Sequence, residues 1–142
     1  MLRGEFPSAG EQSPETLRAA YDDHLATVID AVGVETVADR AGLDPDVLRS
    51  VVDGDRPELT LSEAAAVLAT DPDRPDDVTI AAEARDILLL WMKTAVLDVE
   101  ALASEVDDEL EPKEIQQKVE GRFPVTLDEY ALLHSAIEGR TR

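Results

Sequence analysis

Apolar side chains recur at helical spacing along most of the chain. Leu17, Tyr21, Leu25, Val28 and Val32 form one stripe and leave Asp22, Asp23 and Asp30 outward, which predicts an amphipathic helix. Ser13-Pro14-Glu15 opens that helix as a cap followed by proline, and Gly33 closes it. A second long helix is predicted from about Val78 to Leu97. Its latter half, ILLLWMKTAVL, is apolar on nearly every side, the pattern of a helix buried all round. Trp91 and Met92 are therefore expected in core, at a joint within the chain or in a dimer interface. A ligand-binding aromatic is the competing reading of Trp91. The pattern as a whole gives eight helices and no strand.

The punctuation between the apolar stripes occurs twice. Leu43–Glu63 reads LDPDVLRSVVDGDRPELTLSE, and Leu110–Glu129 reads LEPKEIQQKVEGRFPVTLDE. Aligned on Pro45 and Pro112, the copies bring Gly54 onto Gly121 and Pro57 onto Pro124. A slip of one residue then brings Thr60 onto Thr126 and Glu63 onto Glu129. Asp44 and Glu111 suit the N-cap, with the prolines at the first helical position, where a missing N–H costs nothing. Leu43 can staple onto Leu48, and Leu110 onto Ile115. The glycines suit the left-handed position past a helix end, and Thr-x-x-Glu is a capping box that opens the next helix. Val34–Ala38 and Val99–Ala103 place a further short helix before each copy. The acidic turn TDPDRPDD, Thr70 to Asp77, is too short for a free linker, so the two halves should pack together.

Two short helices joined by a tight turn, with alanine where they cross, are helix-turn-helix grammar. IQQKVEGRFPVTLDEYALLHSAI resembles the end of a Cro/phage-repressor-type (XRE-like) DNA-binding domain. The resemblance covers roughly Asp98–Ile137 and, more weakly, Val34–Thr70. It implies an all-α fold of two tandem helix-turn-helix-type four-helix repeats packed into one compact unit. Residues 13–70 would be the first repeat and 77–138 the second, after a mobile tail at 1–12. The whole chain is also similar to an uncharacterised family of haloarchaeal proteins, which implies a fold and no stated function.

Charge changes the picture. The chain has 142 residues and a net charge of −19, from 32 acidic and 13 basic residues, and the only lysines are Lys93, Lys113 and Lys118. Such an excess repels DNA and itself in dilute buffer, and suits a cytoplasm where salt shortens screening to a few ångströms. The composition resembles that of extreme halophiles; a merely acidic mesophilic protein is the alternative. No cysteine is present, so disulfides, thiol catalysis and cysteine-ligated metal are excluded. With no signal pattern and no spanning apolar run, the expected location is cytoplasmic.

Candidate chemistry is sparse. His24 and His134 lie on different predicted helices without metal-ligand spacing, His24 expected to be solvated and His134 at the edge of the core. No phosphate loop or nucleophile motif is present, so neither a cofactor, a metal nor an enzymatic activity is expected. The helix from Pro112 to Glu120 is the informative surface. Ile115 and Val119 face inward, while Lys113, Gln116, Gln117 and Glu120 share the opposite face. Paired glutamines can bind adenine edges, and Lys113 can reach guanine or phosphate. Lys118 and Arg122 flank that face, and three acids and three bases cancel between Glu111 and Arg122. Lys113, Gln116, Gln117, Lys118 and Arg122 are the candidate DNA-binding residues. The competing reading is that polar residues merely solvate an exposed face. In the first repeat the matching residues are Asp46, Arg49, Ser50 and Asp53, where two aspartates oppose a phosphate approach. Two functions follow. One is a DNA-binding transcriptional regulator whose second repeat reads DNA. The other is a protein-interaction or adaptor module, or a homodimer, whose helix-turn-helix does not touch DNA.

Overall fold

Most of the caps expected from the sequence make the hydrogen bonds that define a cap. In a computed structural model, which describes residues 13–94 and 96–141, eight helices follow one another. They are α1 (Pro14–Val32), α2 (Val34–Ala41), α3 (Pro45–Asp53), α4 (Leu61–Leu68), α5 (Asp77–Thr94), α6 (Val99–Glu105), α7 (Pro112–Val119) and α8 (Leu127–Thr141). Ser13 Oγ accepts from the Thr16 N–H at 3.1 Å, and Asp44 Oδ1 from the Asp46 N–H at 2.8 Å. Both capping boxes close. The Thr60 and Thr126 N–H groups donate to Glu63 and Glu129 at 2.9 and 3.0 Å. The glutamate N–H groups return the bond to the threonine hydroxyls at 3.1 Å each. Each box satisfies two donors that a helix start would leave unpaired.

The last helix, α8, packs against both of the other long helices, α1 and α5. α1 lies against α3 and α8, while α5 lies against α4 and α8. Leu17, Tyr21, Leu25 and Ile29 of α1 are buried at the same spacing as Ile80, Ala84, Leu88 and Met92 of α5. The loops before α4 and α8 meet in a short antiparallel bridge at Thr60 and Thr126. Leu61 N–H donates to Val125 O and Leu127 N–H to Leu59 O, both at 2.8 Å. Corresponding positions of the two copies thus pair with each other, and the bridge satisfies the first N–H of each following helix. Among the described residues no longer strand forms.

Six expectations need correction. Asp22 is not outward: it is 3% exposed, since Arg18 is buried one turn earlier and neutralises it, whereas Asp23 and Asp30 do face solvent. The latter half of α5 is not buried all round. Ile87, Leu88 and Met92 are buried, but Leu89 and Leu90 are 41% and 53% exposed and Trp91 is half-buried. α4 and α8 cover one side of that helix only. His134 is not at the edge of the core but fully enclosed by it, and His24 is half-buried with Nε2 2.9 Å from Arg74 Nη2. Finally, α5 ends at Thr94 rather than Leu97, and α8 continues to Thr141, past the limit of 138 expected for the second repeat. The expected tail at 1–12 lies outside the described residues.

Candidate functional site

α7 is held by two inward residues and presents the rest. Ile115 and Val119 are buried; Lys113, Gln116 and Glu120 are exposed and Gln117 is half-buried, as the 100° periodicity requires. Pro112 starts the helix, and the Glu111 N–H reaches the Glu114 carboxylate at 3.4 Å. Gly121 ends it with φ +80°, a left-handed conformation that side chains other than glycine adopt at a cost.

The five candidate DNA-binding residues share this region but not the same freedom. Lys118 Nζ is paired with Glu129, whose other carboxylate oxygen already closes the α8 capping box. Arg122 Nε pairs with Glu120 Oε2 at 3.1 Å, and Gln116 Nε2 donates to Glu120 Oε1 at 3.3 Å. Only Lys113 and Gln117 of the five make no side-chain hydrogen bond or ion pair among the described residues. Glu111, Glu114 and the adjoining turn residues Asp107, Asp108 and Glu109 are all exposed. Of the three bases between Glu111 and Arg122, Arg122 is thus paired within the stretch and Lys118 with Glu129 beyond it, within an acidic surround. On α3 the counterpart Arg49 is likewise bound, to Asp46 at 3.0 Å.

A second constellation escaped the sequence reading. Arg18 is 2% exposed, and its guanidinium spans three segments. Nε donates to Asp22 Oδ1 at 3.1 Å, Nη1 to Asp128 Oδ1 at 3.0 Å, and Nη2 to the Pro57 carbonyl. Burial pushes the Asp22 carboxyl above its ordinary value, and the Arg18 charge and hydrogen bond pull against that. Arg18 forms part of the floor of a cavity of about 540 Å³ beside Arg56, Glu109 and Leu132. The available signal was the Arg18–Asp22 spacing of one helical turn, adjoining the apolar stripe at Leu17 and Tyr21.

The aromatic joint is built around His134. Tyr21 hydroxyl lies 2.5 Å from Nδ1, Trp91 stacks on the imidazole at 5.2 Å, and Tyr130 meets it edge-on at 5.9 Å. Tyr130 itself donates to the Ala84 carbonyl at 2.8 Å. Burial lowers the His134 pKa to about 4, so the ring is neutral at neutral pH and serves packing. Among the described residues no group of three or more metal-ligating side chains assembles, and no helix is long and apolar enough to cross a membrane.

The described residues form an all-helical protein that exposes polar helix faces, shallow cavities and some large apolar side chains, Leu90 and Phe123 among them. The chain belongs to DUF5791, a family of unknown function whose profile matches residues 17–140. Comparisons with curated proteins and with solved structures found no match.

Proposed function

We propose that the protein is a non-catalytic protein-interaction module of a salt-rich cytoplasm, built from two helix-turn-helix-type repeats that do not read DNA. The observation that carries this reading is the pairing of the α7 cations. Lys118 is bound by Glu129 and Arg122 by Glu120, so a phosphate must displace a carboxylate to reach either. DNA affinity comes largely from phosphates that basic groups neutralise, and this face offers one unpaired base, Lys113, among exposed acids. A protein partner with a basic rim fits the acidic surround, and Phe123, 54% exposed at the end of α7, offers an apolar anchor. The repeat reading is supported by the two closed capping boxes, the matched burial on α1 and α5, and the bridge between corresponding residues.

DNA reading by the second repeat remains the other proposal. It is favoured by the exposure of Lys113 and Gln116 on one face of a short helix in the second position of a helix-turn-helix. Duplex-binding anisotropy across a potassium chloride series separates the two. Wild type should show no saturable binding, while Glu120→Gln/Glu129→Gln, which frees both cations and keeps a capping-box residue, should gain measurable non-specific affinity. Tight wild-type binding that Gln116→Ala or Gln117→Ala weakens at particular base pairs would establish the DNA reading instead.

A further inference from the structure

A cavity of about 240 Å³ lies where the loop after α7 meets the start of α4. It is lined by Ser62, Arg85, Gly121, Arg122 and Phe123 among others, and no carboxylate lines it. In a chain with 32 acidic residues, this cavity is lined by arginine and by no acid. The Arg85 side chain is half-buried and makes no hydrogen bond or ion pair among the described residues. Its guanidinium lies over the Gly121 backbone, where an added Cβ would come 2.9 Å from Nε and 3.2 Å from Cζ. Gly121 thus gives the guanidinium room to lie flat along the cavity wall. Arg122 is already held by Glu120, so the uncompensated cation of the cavity is Arg85.

The other half of the molecule indicates what such a place accommodates. The burial register of α1 and α5 sets Arg18 against Ala81 and Asp22 against Arg85, and the loop register sets Asp128 against Ser62. At the first place, the buried guanidinium of Arg18 is met by the protein's own carboxylates from Asp22 and Asp128. At the second, arginine replaces Asp22 while alanine and serine replace the larger Arg18 and Asp128. A cation stands beside a cavity at both places, but at the second the carboxylates that met it are gone. We infer that this cavity is a binding site for a phosphate-type oxyanion, held by Arg85 and by the Ser62 hydroxyl. The site does not rest on the α4 helix start, two of whose leading N–H groups are already used. Leu61 donates to Val125 O, and Glu63 to Thr60 Oγ1. Charge-assisted bonds from a partly desolvated guanidinium are strong enough to select an oxyanion over water. Phe123, exposed at the rim, favours an ester carrying an apolar group over the free ion.

The test is calorimetric titration of the whole protein with inorganic phosphate and with phenyl phosphate, at constant ionic strength in potassium chloride. Wild type should bind both; tighter binding of phenyl phosphate assigns the source to an ester, and equal binding assigns it to the free ion. Arg85→Met should weaken both by about tenfold or more, the loss expected for one charge-assisted hydrogen bond. Ser62→Asp should place a tethered carboxylate opposite Arg85, as Asp128 stands opposite Arg18. It should abolish phosphate binding while raising the melting temperature, which distinguishes a filled site from a broken fold. Arg49→Gln, on α3, should leave binding unchanged. Absence of binding by the folded wild type overturns the site, as does phosphate affinity unaltered in Ser62→Asp. Because the readout involves neither DNA nor a protein partner, its failure leaves the proposed function standing, and the converse also holds.

Discussion

Arg18→Met is the substitution whose cost the structure specifies best. The guanidinium is 2% exposed and supplies hydrogen bonds to α1 through Asp22, to α8 through Asp128 and to the loop before α4 through Pro57. Methionine fills similar volume and restores none of them. Asp22, 3% exposed, would then hold a buried carboxylate without its counter-charge, and its Oδ2 already lacks a hydrogen-bond partner. Breaking a buried pair from one side costs about 3–5 kcal/mol, a large share of the roughly 5–15 kcal/mol that stabilises a domain. The loss carries a pH signature. Burial already raises the Asp22 pKa, and removing Arg18 removes the largest influence that lowers it. A folded-state pKa above the unfolded one means that the folded form binds the extra proton. The variant therefore regains stability as pH falls through that raised pKa, and its deficit is greatest at neutral pH. Asp22→Leu added to Arg18→Met should recover most of the loss, because an apolar pair of like shape removes the stranded charge. Denaturant unfolding in molar potassium chloride, at neutral pH and about one to two units lower, measures all three proteins. A deficit under about 1 kcal/mol, or one that does not shrink on acidification, would refute the view that this cluster joins the two halves.

Other outcomes follow from the same packing. His134, with its pKa lowered to about 4 from an ordinary 6.5, makes the unfolded chain the stronger proton binder between those values. Stability should fall as pH drops below about 6.5, by about 3 kcal/mol when pH 4 is reached, and His134→Phe should flatten that part of the curve. Trp91→Ala should cost about 2 kcal/mol, below the usual range for a fully buried tryptophan, and native emission should be only partly blue-shifted because the indole is half-buried. Gly121→Ala should cost more than Gly42→Ala in thermal unfolding. Both have positive φ, +80° and +70°, but only at Gly121 would the new Cβ press on a side chain, that of Arg85.

The helices were legible because their boundaries are written in local chemistry. Ser13-Pro14, Asp44-Pro45 and the two Thr-x-x-Glu boxes fix starts by bonds made within three residues, and a single sequence contains everything those bonds need. The inward positions of α7 followed from periodicity alone. Burial of Asp22 and exposure of Leu89 and Leu90 were not legible, for complementary reasons. A charged residue enters a core only when a partner accompanies it, and two of the three Arg18 acceptors lie far away in sequence, at Pro57 and Asp128. An apolar helix face stays exposed when no other element reaches it, which depends on how α4 and α8 cross α5. At the candidate site, residue types and faces were readable but their availability was not. Glu129 was recognised as a cap, yet a carboxylate has two oxygens, and the second one binds Lys118. That contact crosses from α7 to α8 and sets the character of the surface.

Selection of bound sequences from randomised duplex DNA by the folded wild type in molar potassium chloride bears most directly on the proposed function. High salt screens the net charge of −19, so a failure to bind there cannot be attributed to long-range repulsion alone. With Lys118 and Arg122 engaged by Glu129 and Glu120, the selected pool should remain as diverse as the input after repeated rounds. Enrichment of a defined site, lost on Gln116→Ala or Gln117→Ala, would contradict the interaction-module account and make α7 a DNA-reading helix.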